Sequence, residues 1–163
     1  MRPISIHFAY ERYDSYTELP VDTQRLLLSA RAAMGRAYAP YSQFHVGAAI
    51  LLENGTVVEG NNQENAAYPS GLCAERVAIF SVGANFPNQP IRAIAITASS
   101  ATYVSGEPVT PCGACRQSML EYELKQNTPI AVYLLSPSNE VIVIPSVSQL
   151  LPLHFDAKNL RNG

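Results

Sequence analysis

Tryptophan is absent from these 163 residues, and cysteine occurs only three times. Three cysteines cannot all pair within one chain, so a disulfide framework is a poor reading and a reducing, cytoplasmic setting the natural one. Long apolar runs are also missing. The stretch over residues 46–52 is far shorter than the ~18 residues of a membrane span, and the start Met1-Arg2-Pro3-Ile4 lacks the apolar core of a signal peptide. No charge of one sign dominates: 11 Lys and Arg against 13 Asp and Glu leave a net charge of -2, with the cations scattered. No basic stripe is left to follow a phosphate backbone, which argues against a nucleic-acid partner, and nothing suggests a membrane. No repeat or low-complexity segment appears, and 47% hydrophobic residues suit one folded domain over residues 1–163.

What is present reads as alternating helices and strands. In residues 4–10, Ile4, Ile6, Phe8 and Tyr10 alternate with Ser5, His7 and Ala9, a strand-like period of two. Asp22 is placed to cap a helix running to about residue 37, with Leu26, Leu27, Ala30, Ala33 and Met34 on one side. Residues 46–52 and 56–59 flank Asn54-Gly55, the pair that favours a tight hairpin turn. A helix is expected over residues 73–84. Strand 91–98, helix 113–124 and strand 130–135 then resemble a parallel βαβ unit, followed by a short strand at 141–144 and a helical turn at 147–151. The expected class is α/β, a three-layer sandwich with a mixed five-stranded sheet between helices.

All three cysteines fall in two motifs, Cys73-Ala74-Glu75 and Pro111-Cys112-Gly113-Ala114-Cys115. Cys112 and Cys115 are three apart in a first helical turn, so both sulfurs face one way and can share an ion. Cys73 adds a third thiolate, and Glu75, two residues on, stands better beside the metal than on it. Three protein ligands leave one position open, as catalytic zinc requires. Each motif opens a helix whose N-terminus carries roughly +0.5 charge and favours thiolates. Three thiolates still overcompensate a divalent ion, so Glu75 has a role as proton acceptor and donor, and neighbouring Arg76 can offset the excess charge by hydrogen bonding to a sulfur. A structural zinc site normally closes with a fourth Cys or His, yet His7, His45 and His154 lie in no paired motif. Two readings of another class stay open here: a non-catalytic zinc-binding interaction module, and a Cys112/Cys115 dithiol oxidoreductase.

Four segments, Pro40-Tyr-Ser-x-Phe-x-Val-Gly-Ala, Asn62-x-Glu-Asn-Ala-Ala-Tyr, Cys73-Ala-Glu-Arg and Pro111-Cys-Gly-Ala-Cys-Arg-Gln, resemble the cytidine deaminase family over roughly residues 22–155. The likeness is to its small, three-cysteine, homotetrameric type. It implies one zinc per chain on Cys73, Cys112 and Cys115, with hydrolytic attack at C4 of the cytosine ring and Glu75 moving a proton to N3 and then to the departing amino group. It places the Phe44 ring against the pyrimidine, Asn62 and Glu64 on the ribose, and the backbone at Ala74 on the base carbonyl. Tyr68 and Phe155 match positions that complete the pocket of an adjoining subunit. A carboxylate at Glu64 accepts from a sugar hydroxyl but repels phosphate, favouring cytidine and 2′-deoxycytidine over nucleotides. A deaminase of a cytosine-containing antibiotic nucleoside would carry the same metal motifs. Residues 1–19 exceed what compact members carry before their first helix.

Overall fold

The computed structural model describes residues 1–100 and 106–160. One mixed sheet runs through it in the order β1-β6-β5-β4-β2-β3, built from β1 Glu11–Tyr13, β2 Phe44–Leu52, β3 Val57–Asn61, β4 Ile91–Ser100, β5 Ala131–Leu135 and β6 Val141–Ile144. Helices flank it: α1 Val21–Met34, α2 Ala74–Asn85 and α3 Gly113–Gln126.

Period-two alternation divides the strands between two cores. Ala48, Ile50 and Leu52 of β2, Ile94 and Ile96 of β4, and Val132 and Leu134 of β5 face α2 and α3, meeting Ala78, Ile79, Val82, Met119 and Leu120. Ala49 of β2, Ala93 and Ala95 of β4, and Leu135 of β5 face the other way, onto Leu26, Leu27 and Ala30 of α1. Small residues on that second face let α1 lie close. At Gly47 a Cβ would stand 2.0 Å from the Ala30 carbonyl oxygen, so this strand position admits no side chain without moving the helix. Gly60 of β3 does the same for α2, where a Cβ would meet the Ala74 oxygen and the Ala78 nitrogen at 2.6 Å.

The expected hairpin is β2 and β3, antiparallel, with Gly55 at φ +86 in its turn. The expected βαβ unit is β4, α3 and β5, with β4 and β5 parallel. Helix 73–84 is α2, and residues 147–150 form a 3-10 turn.

Three expectations are corrected. Among the described residues the sheet has six strands, not five. The added strand is β1, and residues 4–10 are not in it. β1 pairs antiparallel with β6, Glu11 opposite Val143 and Tyr13 opposite Val141. That register brings Tyr10 opposite Ile144, the last residue of β6, and carries residues 4–9 past its end, where Pro145 follows, and Ile4 and Ile6 lie exposed. Asp22 does not cap α1. The helix opens after Pro20 with Asp22 inside its first turn, an exposed carboxylate 3.7 Å from Arg25. Arg12 fastens β1 by donating to Glu140 at 3.0 Å and Glu107 at 3.3 Å.

Candidate active site

Two helix N-termini converge on one face of the sheet. Cys73 is the residue on which α2 starts, Cys112 the residue on which α3 starts, and both have extended backbone that ends the preceding loop. Gly60 sets how near α2 lies to β3, and the parallel β4–α3–β5 crossover sets α3. Cys115, one turn into α3, is fully buried.

The three sulfurs lie within 4.8 Å of one another, with Cys73 to Cys112 at 4.0 Å and Cys112 to Cys115 at 3.4 Å. Two sulfurs bound tetrahedrally at ~2.3 Å stand about 3.8 Å apart, so the cluster has the dimensions of a zinc site. The thiols share protons unequally. A hydrogen bond from Cys115, aided by Cys112 and the Arg76 charge, pulls Cys73 down to about 6. That bond to Cys73, with burial and the facing Glu75 carboxylate, pushes Cys115 up. Among the described residues this is the one group of three or more Cys, His, Asp or Glu side chains close enough to hold an ion.

Glu75 is 5% exposed, in the first turn of α2. Burial, reinforced by the Cys73 sulfur, holds its carboxyl above the usual range, while its own N–H, Cys115 and Arg76 oppose the shift. Its carboxyl stands against the Cys73 and Cys115 sulfurs. Arg76 lays its guanidinium over the Phe80 ring, 5.8 Å from the centroid, and acts on Cys73 through its charge. Ala74 is buried at the first position of α2, where N–H groups have no intrahelical acceptor.

The other expected contacts are strung to this centre by backbone bonds. Gln63 and Leu72 exchange N–H···O bonds of 2.9 Å, tying the end of β3 to the residue before Cys73. Asn62, 9% exposed, accepts from the Val46 N–H at 2.7 Å and donates to the Phe44 carbonyl at 2.9 Å. Its amide thus clamps the start of β2 and, among the described residues, keeps one N–H unspent. Phe44 lines a cleft of about 250 Å³ with Ala98, Ser99, Ser100, Pro108 and Val109. Glu64 accepts from the Tyr41 N–H at 2.9 Å, from the Ser42 N–H and from the Ser42 hydroxyl, which hold it below the ordinary carboxylate range, the hydroxyl most. Tyr68 and Phe155 face outward, 91% and 57% exposed, and take no part in this chain's own core.

A family model described as the cytidine and deoxycytidylate deaminase zinc-binding region matches residues 20–132. The chain belongs to the cytidine and deoxycytidylate deaminase family. It is 38% identical to the cytidine deaminase of Sporosarcina psychrophila over 140 residues, 86% of this chain and 96% of the relative. It is 39% identical to that of Halalkalibacterium halodurans over 142 residues, 87% and 100% of the two chains. The crystal structure of cytidine deaminase from Burkholderia pseudomallei shares the fold with a TM-score of 0.69 and 41% identity, covering 80% of this chain and 97% of that one. Family membership and the three-sulfur cluster together fit one zinc ion per chain.

Sequence reasoning gave no role to three side chains of α3, Glu123, Arg116 and Gln117, that tie the C-terminal segment to this helix. Glu123 is 6% exposed on α3 and accepts from the N–H groups of Ile130, Val147 and Ser148 and from the Ser146 hydroxyl. Its signal was available: positions 115, 119 and 123 repeat every four residues, which puts Glu123 on the buried stripe with Cys115 and Met119. Arg116 and Gln117, beside the second motif, carry no such periodic mark.

Proposed function

We propose that this chain deaminates cytidine and 2′-deoxycytidine by hydrolysis, giving uridine and 2′-deoxyuridine with release of ammonia, in pyrimidine salvage. The observation that carries the reading is the buried Glu75 carboxyl set against three clustered sulfurs. Cys73, Cys112 and Cys115 hold the zinc, which when bound supplies Lewis acidity and lowers the pKa of a water nucleophile. Glu75 takes one proton from that water and delivers it to N3 of the cytosine ring, then takes the second from the hydroxyl now on C4 and delivers it to the 4-amino group, which leaves as ammonia while the C4 carbonyl forms. Its raised pKa suits the exchange, because a carboxyl that gives and takes a proton near neutrality must lie above the ordinary carboxylate range.

The unspent N–H of Asn62 and the ionised Glu64 address the ribose hydroxyls. Glu64, kept charged by its Ser42 and Tyr41 bonds, disfavours a phosphate nearby and so selects nucleosides over nucleotides. Phe44 lies against the pyrimidine, and the free N–H groups at Ala74 meet the base carbonyl. Arg76 trims the excess negative charge at the sulfurs. The exposed Tyr68 and Phe155 close the pocket of a neighbouring subunit in a homotetramer. Residues 1–163 act as one deaminase-like domain, with 1–19 as an extension, in the cytoplasm; no helix among the described residues is long and apolar enough to cross a membrane.

The deciding experiment measures ammonia release from cytidine and 2′-deoxycytidine alongside the cytosine-to-uracil absorbance change. Release of one ammonia per uracil formed is the expected result. Zinc-loaded protein inactive on both nucleosides overturns the reading.

A further inference from the structure

We propose that Gln117 is a positioning residue for Phe155, and that it sets where this aromatic stands relative to the helix carrying Cys112 and Cys115. The proposal rests on the reading of Phe155 as a substrate contact given above.

The C-terminal segment is attached to α3 at successive points. Glu123, deep in the helix, accepts from the Val147 and Ser148 N–H groups at 2.8 and 2.9 Å and so holds the turn Val147–Leu150. Arg116 donates from Nη1 to the Leu150 carbonyl at 3.0 Å and from Nε to the Pro111 carbonyl at 2.8 Å, joining that turn to the residue before Cys112. Gln117 then donates from Nε2 to the Phe155 carbonyl at 2.9 Å.

Beyond Leu150, and among the described residues, the remaining bonds of the segment are local. His154 Nδ1 lies 2.9 Å from the Leu151 carbonyl, and Asp156 and Asn159 cap one another's turn through the Lys158 and Asp156 N–H groups. Such bonds shape the segment without saying where it lies on the body. The Phe155 ring, 57% exposed, is not held by burial either. Gln117 is therefore the bond that fixes the carbonyl of Phe155 to the framework.

That framework is the helix whose first turn carries two of the three sulfurs. The bond thus fixes the aromatic to a rigid element of its own chain, so that docking of the subunits carries the ring to a defined place in the neighbour's pocket. An aromatic wall works by placement, and a shift of an ångström at a binding group is costly in a closed pocket. A neutral amide suits the task, since it donates to a carbonyl and adds no charge near the sulfurs.

The test is a double-mutant cycle on the full-length, zinc-loaded protein, reading KM and kcat for cytidine with Gln117→Leu, Phe155→Ala and the pair. A single neutral bond of this kind contributes about three- to tenfold. Gln117→Leu is expected to raise KM by about that factor, with kcat and zinc stoichiometry held, and to add nothing once Phe155 is Ala. Hydrogen exchange gives a readout independent of turnover: residues 151–160 exchange faster in Gln117→Leu, while α2 does not change. Gln117→Lys, which restores a donor of similar reach, recovers KM. Additive effects in the cycle, or an unchanged KM in Gln117→Leu when Phe155→Ala raises it, overturn the positioning role alone. An unchanged KM in Phe155→Ala overturns the substrate reading of Phe155 and this proposal with it. Should Gln117→Leu fail to fold, Gln117→Glu, similar in shape but with no N–H to donate, enters the same cycle.

Discussion

Glu75 combines deep burial with a pKa above the carboxylate range, and both properties can be separated from its chemistry by one substitution. Glu75→Gln keeps shape and hydrogen bonding but cannot carry the proton, so turnover should fall by the ~10²- to 10⁴-fold a positioned acid/base contributes, with zinc stoichiometry intact. Stability should move the other way. A raised folded pKa means that Glu75 favours the fold below its ordinary pKa of ~4.3, a contribution lost as pH rises to the folded value. The zinc-free wild type should therefore lose stability over that interval relative to Glu75→Gln, as urea titrations at a series of pH values would record. The sulfurs give a second pH signature. Above about 6 Cys73 is ionised, but Cys115 still keeps its proton, so zinc must displace at least that one. Zinc affinity should then rise at least ~10-fold per pH unit between neutrality and mild alkali, measured by competition with a chelator. Cys73→Ala should weaken zinc strongly at every pH. At this scale the sulfur cluster and the acid beside it were legible in the sequence, because ligand spacing and the neighbouring acid are local in the chain. The Asn62 clamp and the bonds of the Glu123 hub were not legible: the helical stripe marks Glu123 as buried, but its partners lie 7 to 25 residues away and those of Asn62 16 and 18.

Secondary-structure elements set the distances between these residues, and glycine sets how close the elements come. At Gly60 an added methyl would press on the backbone of α2 at Ala74 and Ala78, next to Cys73 and Glu75. Gly60→Ala should cost about 1 to 3 kcal/mol of stability through overpacking and, by pushing the start of α2 outward, lower zinc affinity as well. Thermal denaturation and zinc titration on one variant test both halves; a loss of stability with unaltered zinc binding would show that α2 absorbs the strain elsewhere. The helices, the hairpin and the βαβ unit were readable because each is encoded by nearby residues: the Asn54-Gly55 turn, and stripes such as Leu26, Leu27 and Ala30. β1 was not, for a reason in the pairing. Alternation over residues 4–10 marks a segment able to be a strand, but a strand also needs an edge, and β6 offers only four residues before Pro145. Pairing consequently falls on Glu11–Tyr13, where Arg12 also finds Glu140.

At the scale of the whole molecule, Tyr68, Leu153 and Phe155 leave large apolar surfaces exposed on a chain with a well-filled interior. The proposed homotetramer accounts for them, and light scattering should give four chains per particle. Shared pockets make a sharper prediction. Glu75→Gln and Phe155→Ala chains, each weak alone, should regain activity when dissociated and reassembled together, because some pockets then receive an intact residue from each parent. Verified exchange without regain would place Phe155 in the pocket of its own chain. The family match begins at residue 20, so β1 lies outside it, and this three-residue strand occupies the flank of Val141-Ile142-Val143-Ile144. Four consecutive β-branched residues with an open flank are the kind of template on which chains stack into aggregates, and a very short outermost strand is one way to blunt it. A chain cut back to residue 20 should consequently retain its zinc ligands yet precipitate on concentration or storage, so that the first residues act as a guard on solubility and shelf life.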